Sequence, residues 1–210
     1  HVLRSADGGA TFTTTPFEPV KSDANANFGK GFGDKMVVDP ANPDVVLVGS
    51  PDVPLRISTD GGETWTDIDV PAGLPQERID GDTGGEIKSV GVTGLAFDRT
   101  SGVADGRTSV VYAASWGNGV YRSTDGGSTW TSIGGPTTVQ HATIGADGAY
   151  YTTNGDREGP FDIERFADGE WTDVTPADWD PGSIASVENP FIAASRTTPG
   201  TVVVGYAGQM

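Results

Sequence analysis

Arg122-Ser123-Thr124-Asp125-Gly126-Gly127-Ser128-Thr129-Trp130 is a turn signature that this chain repeats. Ser58-Thr59-Asp60-Gly61-Gly62-Glu63-Thr64-Trp65 is the same object, and Ser5-Ala6-Asp7-Gly8-Gly9-Ala10-Thr11-Phe12 is a further copy. Ala167-Asp168-Gly169-Glu170-Trp171 reads as a worn one. Each copy lies between two short β-type runs, such as residues 119–122 and 129–133, and so reads as a hairpin loop. Glycine supplies the positive φ of a tight turn. The Asp carboxylate accepts hydrogen bonds from loop amides that have no ladder partner, and the Ser hydroxyl does so more weakly. The closing aromatic covers the loop and anchors the next strand. Ser5, Asp7, Gly9 and Phe12, then Ser58, Asp60, Gly62 and Trp65, then Ser123, Asp125, Gly127 and Trp130 are therefore read as structural. A carboxylate spent on loop amides is held ionised, which suits a frame better than an acid catalyst.

Strand-like runs surround the signatures in sets of four. Residues 35–39, 44–49, 54–58 and 64–70 form one set; 92–98, 109–114, 119–122 and 129–133 form a second; 140–145, 149–153, 162–166 and 170–174 form a third. Repeats of roughly 40 to 50 residues with four antiparallel strands are the pattern of β-propeller blades. The fold expected is thus all-β: a β-propeller of four-stranded antiparallel blades, read as one propeller segment over 1–210. Its parts are a half blade at 1–20, blades at 34–70, 90–134 and 138–175, and a half blade at 183–207. The interval between Asp60 and Asp125 is the longest, which places an insertion at 73–89. The two half units either pair to close a four-bladed ring or belong to a larger, seven-bladed one. No helical periodicity of useful length is present.

Composition bounds the function. In 210 residues there are 31 Gly and 14 Pro, with enough hydrophobic residues for a core, so many short strands and turns are expected rather than disorder. A formal charge of −16 repels phosphates and anionic membranes, so neither nucleic acid nor a membrane is an expected partner. No apolar run is long enough to span a bilayer as a helix. With no cysteine, disulfides and thiolate chemistry are excluded.

The ordered segments Leu3-Arg4-Ser5-x-Asp7-x-Gly9, Gly31-x-Gly33-Asp34-Lys35-Met36-x-Val38-Asp39-Pro40 and Gly159-Pro160-Phe161-Asp162 resemble the xyloglucanases of glycoside hydrolase family 74. Glu170-Trp171-Thr172-Asp173-Val174-Thr175-Pro176 is similar to a family strand end. The turn signature, of the Asp-box type, is shared with sialidases and sorting receptors; the ordered set is more specific. The resemblance implies two seven-bladed propellers facing across a cleft, and inverting hydrolysis of β-1,4-glucan links by a secreted, monomeric enzyme. It places both catalytic acids outside residues 1–210, so no catalytic residue is expected here, and no cofactor.

Within the chain, the candidate sugar-binding residues are Trp116 and Asn118 in one inter-strand loop, and Asn154 and Asp156 in another. An aromatic face stacks on sugar rings and amides bond hydroxyls. Asp80, Asp82 and Glu86 cluster in the insertion, but their spacing does not match a calcium loop, and no metal site is expected. Trp179, between Asp178 and Asp180, is a weaker aromatic candidate, and His141 reads as structural. Two other readings compete: a non-catalytic propeller that binds carbohydrate or protein, and a sialidase. The latter needs an arginine cluster, whereas Arg4, Arg56 and Arg122 occupy or adjoin one repeat position.

Overall fold

Strand runs rich in Val, Ile, Thr and Tyr, broken by Asp-Gly and Gly-Gly turns, give a succession of antiparallel hairpins. The computed structural model describes residues 2–17, 33–50, 53–73, 90–155, 161–177 and 188–207, and among these every element is a strand. The first pair is β1 (Leu3–Arg4) and β2 (Thr13–Thr14). The first four-stranded sheet runs β3 (Met36–Val38), β4 (Val46–Ser50), β5 (Val53–Ser58), β6 (Thr66–Asp67). The second runs β7 (Val92–Ala104), β8 (Arg107–Ser115), β9 (Gly119–Ser123), β10 (Thr131–Gly134). The third runs β11 (Val139–Ile144), β12 (Tyr150–Asn154), β13 (Asp162–Ala167), β14 (Glu170–Asp173). A final pair is β15 (Glu188–Ala194) and β16 (Val202–Ala207). Each strand pairs with the next in sequence, and the two end pairs stay separate two-stranded sheets rather than joining to close a small ring.

The structure refines the strand ends for physical reasons. Outer strands β2 and β6 begin later than the sequence suggests, because Thr11 and Thr64 are committed to the signature loops: each donates its backbone N–H and its hydroxyl to the signature Asp. The β7–β8 hairpin runs further than expected, through a tight turn at Asp105-Gly106, both with positive φ (51° and 74°). Asp-Gly is the sequence best suited to such a two-residue turn.

The sheets stack face to face, so the core is a series of layers between blades. Val45, Leu47 and Leu55 pack against Val92, Leu95 and Val111; Tyr112 and Val120 pack against Val139, Ala142 and Tyr150; Phe161 and Ile163 pack against Ile192 and Val204. This is why β8 and β12 are buried on both faces, and why β8 reads from Val110 to Ala114 as a continuous rather than alternating apolar run. The rings of Tyr112 and Tyr150 stack across one layer, centroids 4.5 Å apart. Each large apolar side chain so buried contributes about 1.5–3 kcal/mol, so the layers outweigh any single turn.

Candidate functional site

An up-and-down meander puts alternate connections at opposite ends of every blade. One end, the turn end, carries the signature hairpins and the connections from the first to the second strand of each sheet. The other, the loop end, carries the second-to-third connections and the crossings between blades. Trp116, Asn118 and Asn154 all fall at the loop end; Asp156, Trp179 and residues 80–86 lie outside the described residues.

At the turn end the three full signatures are superimposable in their bonding. Ser123 Oγ donates to Asp125 Oδ1 (2.7 Å) and accepts from Gly127 N–H (2.9 Å). Asp125 accepts from the backbone of Ser128 and Thr129 and from the Thr129 hydroxyl (2.6 Å). The Ser58–Asp60–Thr64 and Ser5–Asp7–Thr11 sets repeat the pattern. Hydrogen bonds from the threonine hydroxyl and amide hold Asp7 and Asp60 down to about 2. For Asp125 slight burial pushes upward, but the same bonds prevail and it too lies at about 2. The closing aromatics differ: Trp130 donates its indole N–H to Gly127 O (3.0 Å) and Trp65 meets Phe17 edge-on, whereas Phe12 is 61 % exposed. The worn copy at Asp168 is a plain two-residue turn, with φ of 55° and 87° at Asp168 and Gly169 and none of the Ser–Asp–Thr bonding.

The arginines at the repeat position do not converge. Arg4 pairs with Glu63 (3.3 Å), Arg56 with Asp67 (2.7 Å), and Arg122 lies over the Tyr112 ring. A sialidase-like clamp is therefore not assembled from them.

The loop end is built differently. Trp116 is buried (3 % exposed) and packs with Val90, so its ring takes no solvent-facing position of the kind sugar stacking needs. Asn118 is half-buried; its amide nitrogen donates to Ala72 O (3.0 Å) and Ser115 Oγ (2.9 Å), fastening the start of the 73–89 crossing to its own loop. Asn154 ends β12 and is 4 % exposed, yet both its amide atoms lack a hydrogen-bond partner. Two neighbours on the same strand pair share this state in part: Gln140 Oε1 and Thr152 Oγ1 are buried and unpartnered, although Gln140 Nε2 donates to Gly155 O (2.9 Å). Unpaired buried polar atoms are uncommon and each asks for a reason. His141, buried beside the Phe191 ring at 5.2 Å, lies on the same strand. Lys35 donates to Val90 O (3.1 Å), and burial lowers its ammonium to about 8. Gln140, Thr152 and Lys35 were not singled out from the sequence. Their residue types are ordinary, and only the strand register brings them together. Among the described residues no group of three or more His, Cys, Asp or Glu could hold a metal.

No protein-family model matches the chain. In sequence it is 33% identical to a Paenibacillus xyloglucanase over 97% of its own length and 21% of that protein's. It is 31% identical to a Hypocrea jecorina xyloglucanase, over 97% of the chain and 26% of the relative. In structure it matches the GH74 xyloglucanase from Xanthomonas campestris with a TM-score of 0.70 at 28% identity, covering 91% of this chain and 28% of that one. The GH74 enzyme of Niastella koreensis matches with a TM-score of 0.64 at 29% identity, covering 84% and 26%. Xyloglucanase relatives and GH74 structures thus cover most of the chain, which spans about a fifth to a quarter of the length of these curated relatives.

Proposed function

We propose that this GH74 xyloglucanase-like chain is part of a secreted glycoside hydrolase acting on xyloglucan, to which it supplies propeller scaffold and loop-end contacts to the polysaccharide. The observation that carries this reading is the similarity to a xyloglucanase along 97% of the chain, together with the TM-score of 0.70 against a GH74 structure. The blades at 34–70, 90–134 and 138–175 are read as consecutive members of a seven-bladed ring, flanked by the half blades. Inverting hydrolysis needs one protonated carboxyl to aid the leaving group and one carboxylate to activate water, about 6.5–9.5 Å apart. In this reading neither acid belongs to residues 1–210. The chain's share of catalysis is to hold the glucan, since a positioned substrate lowers the barrier without any new chemistry.

Asn154, through its unpaired amide, and Asn118, through its amide oxygen alone, are the sugar contacts proposed here; Asp156 follows Asn154 in the same loop. The test is affinity electrophoresis in gels containing xyloglucan. The chain should be retarded and should leave the polymer's viscosity unchanged. Migration identical in gels with and without xyloglucan would sink the reading. Viscosity loss on incubation with the chain alone would place a catalytic pair within it.

A further inference from the structure

Among the described residues, all three non-glycine residues with positive φ are aspartates: Asp34 (30°), Asp105 (51°) and Asp168 (55°). Asp105 and Asp168 are followed by glycine in two-residue hairpins, where the turn itself demands the conformation. Asp34 lies in no hairpin; it precedes β3 at the loop end. A non-glycine residue stays in this backbone region only where its surroundings fix it, and such positions gather at functional sites.

The surroundings do fix it. Gly33 N–H donates to Gln140 O (2.9 Å), Leu95 N–H donates to Asp34 O (3.1 Å), and Gly49 N–H donates to Lys35 O (2.8 Å), so three consecutive residues are tied to three strands. A side chain at Gly33 would occupy the place of the His141 imidazole, so the absence of a Cβ there brings Asp34 in beside that ring. The Asp34 carboxyl, by contrast, is hardly used. Its one hydrogen bond among the described residues is a long one, 3.5 Å, from Ala142 N–H. It lines a groove of about 220 Å³ that runs along the inner strands past Leu95, Ala142 and Ile144 toward Arg99 and Arg196. Burial raises its pKa, with the Ala142 amide and His141 working against the rise.

We propose that Asp34 is a specificity-determining substrate contact, a carboxyl that accepts hydrogen bonds from sugar hydroxyls on the loop-end side of this groove. The inference rests on the reading of the chain as part of a xyloglucan hydrolase. Neutral polyol chemistry fits the site better than its rivals. At Asp34 an anion would meet a carboxyl in a chain of charge −16, the arginines of the groove, Arg99 and Arg196, lying toward the inner strands' far ends from it. A calcium ion takes 6–8 oxygen ligands, and no acidic cluster joins Asp34 among the described residues. Vicinal hydroxyls offer donors to a carboxyl with one oxygen free and the other held only by the long Ala142 contact, and carry no charge to repel.

The test is titration calorimetry of the whole chain with xyloglucan heptasaccharide, beside thermal melts of each variant. Asp34→Asn is the informative change, because asparagine tolerates the same backbone conformation while losing the charge and one acceptor. Asp34→Asn and Asp34→Ala should each bind at least tenfold more weakly, Asp34→Asn with its melting temperature unchanged and Asp34→Ala with a small loss from alanine at positive φ. Wild-type affinity in Asp34→Asn overturns the proposal alone. Loss of affinity that tracks a loss of melting temperature in both variants makes Asp34 structural and overturns it as well. A wild-type chain that binds no heptasaccharide overturns the parent reading and this one with it.

Discussion

The turn end and the loop end of the blades use the same residue types to opposite effect. At the turn end Asp7, Asp60 and Asp125 have every carboxylate oxygen bonded to a hydroxyl or amide of their own loop. At the loop end Asp34 has one long contact, and Asn154 is buried with none. A repeated motif with saturated bonding is a frame. An unrepeated polar group with unused bonding capacity, held in place by backbone ties, is where a ligand is to be sought. Acidity alone does not separate the two; bonding does.

The sharpest way to break that contrast is at Asp39, a turn-end residue outside the signatures. It is 2 % exposed and accepts from Ala41 N–H (2.8 Å), Thr108 N–H (2.9 Å) and the Thr108 hydroxyl (2.5 Å). Asp39→Ala strands buried donors, and a loss of about 3 kcal/mol or more is expected in urea unfolding; a loss under about 1 kcal/mol would mean that the turn end is not the frame. Asp125→Ala should cost less, about 1–3 kcal/mol, for amides left without an acceptor. Xyloglucan binding by the folded protein should be intact. Binding abolished at an unchanged melting temperature would move Asp125 from frame to site.

Acid should loosen the turn end. Asp7, Asp60 and Asp125 lie at about 2 in the folded chain, against an ordinary 3.8. A depressed folded-state value means that their contribution is fully present above pH ~4 and drains away as pH falls through ~2. Melting temperature should fall across that window, and Asp125→Asn should flatten the slope. A melting temperature independent of pH there would contradict the bonding described.

Two near-silent substitutions complete the series. Asp168→Gly, at a positive-φ position with no side-chain network, should be neutral or stabilising by under about 1 kcal/mol. A cost like that of Asp125→Ala would restore Asp168 to the signature class. Asn154→Leu replaces an amide that bonds nothing by an apolar group of the same branched shape, so melting should be unchanged or slightly raised. Its heptasaccharide affinity should nonetheless drop about tenfold, and unaltered affinity would leave the unpaired amide without a ligand.

The frame was legible in the sequence because its physics is local. A Ser, an Asp, two glycines and a Thr within a few residues close their own loop, and Asp-Gly pairs mark hairpins without help from the rest of the chain. What local pattern missed was mutual: the late start of β2 and β6 follows from threonines claimed by the loops, and the burial of Trp116 follows from Val90 across a crossing. Phe12 carries the signature's aromatic position yet is mostly exposed, which no local reading distinguishes from Trp65. The loop-end polar set was illegible for the same reason. Asn154 is singled out as a loop residue, but Gln140 and Thr152 are unremarked in sequence, and only the register of β11 against β12 gathers them with it. Asp34 stood in a quoted motif, but its backbone conformation is not written in its letters.

Asp39 has one further consequence. Its carboxylate belongs to one blade and its partners at Thr108 to the next. The same crossing recurs where Tyr150 donates to Gly94 O and Trp171 to Ile133 O. An array of like units joined only to their neighbours behaves as a one-dimensional chain, in which each unit's intrinsic stability and each junction add separately. These clasps are the junction terms. They set how far a local opening travels: with all of them in place the blades melt as one body, and with one removed the array acquires a seam along which heat can part it.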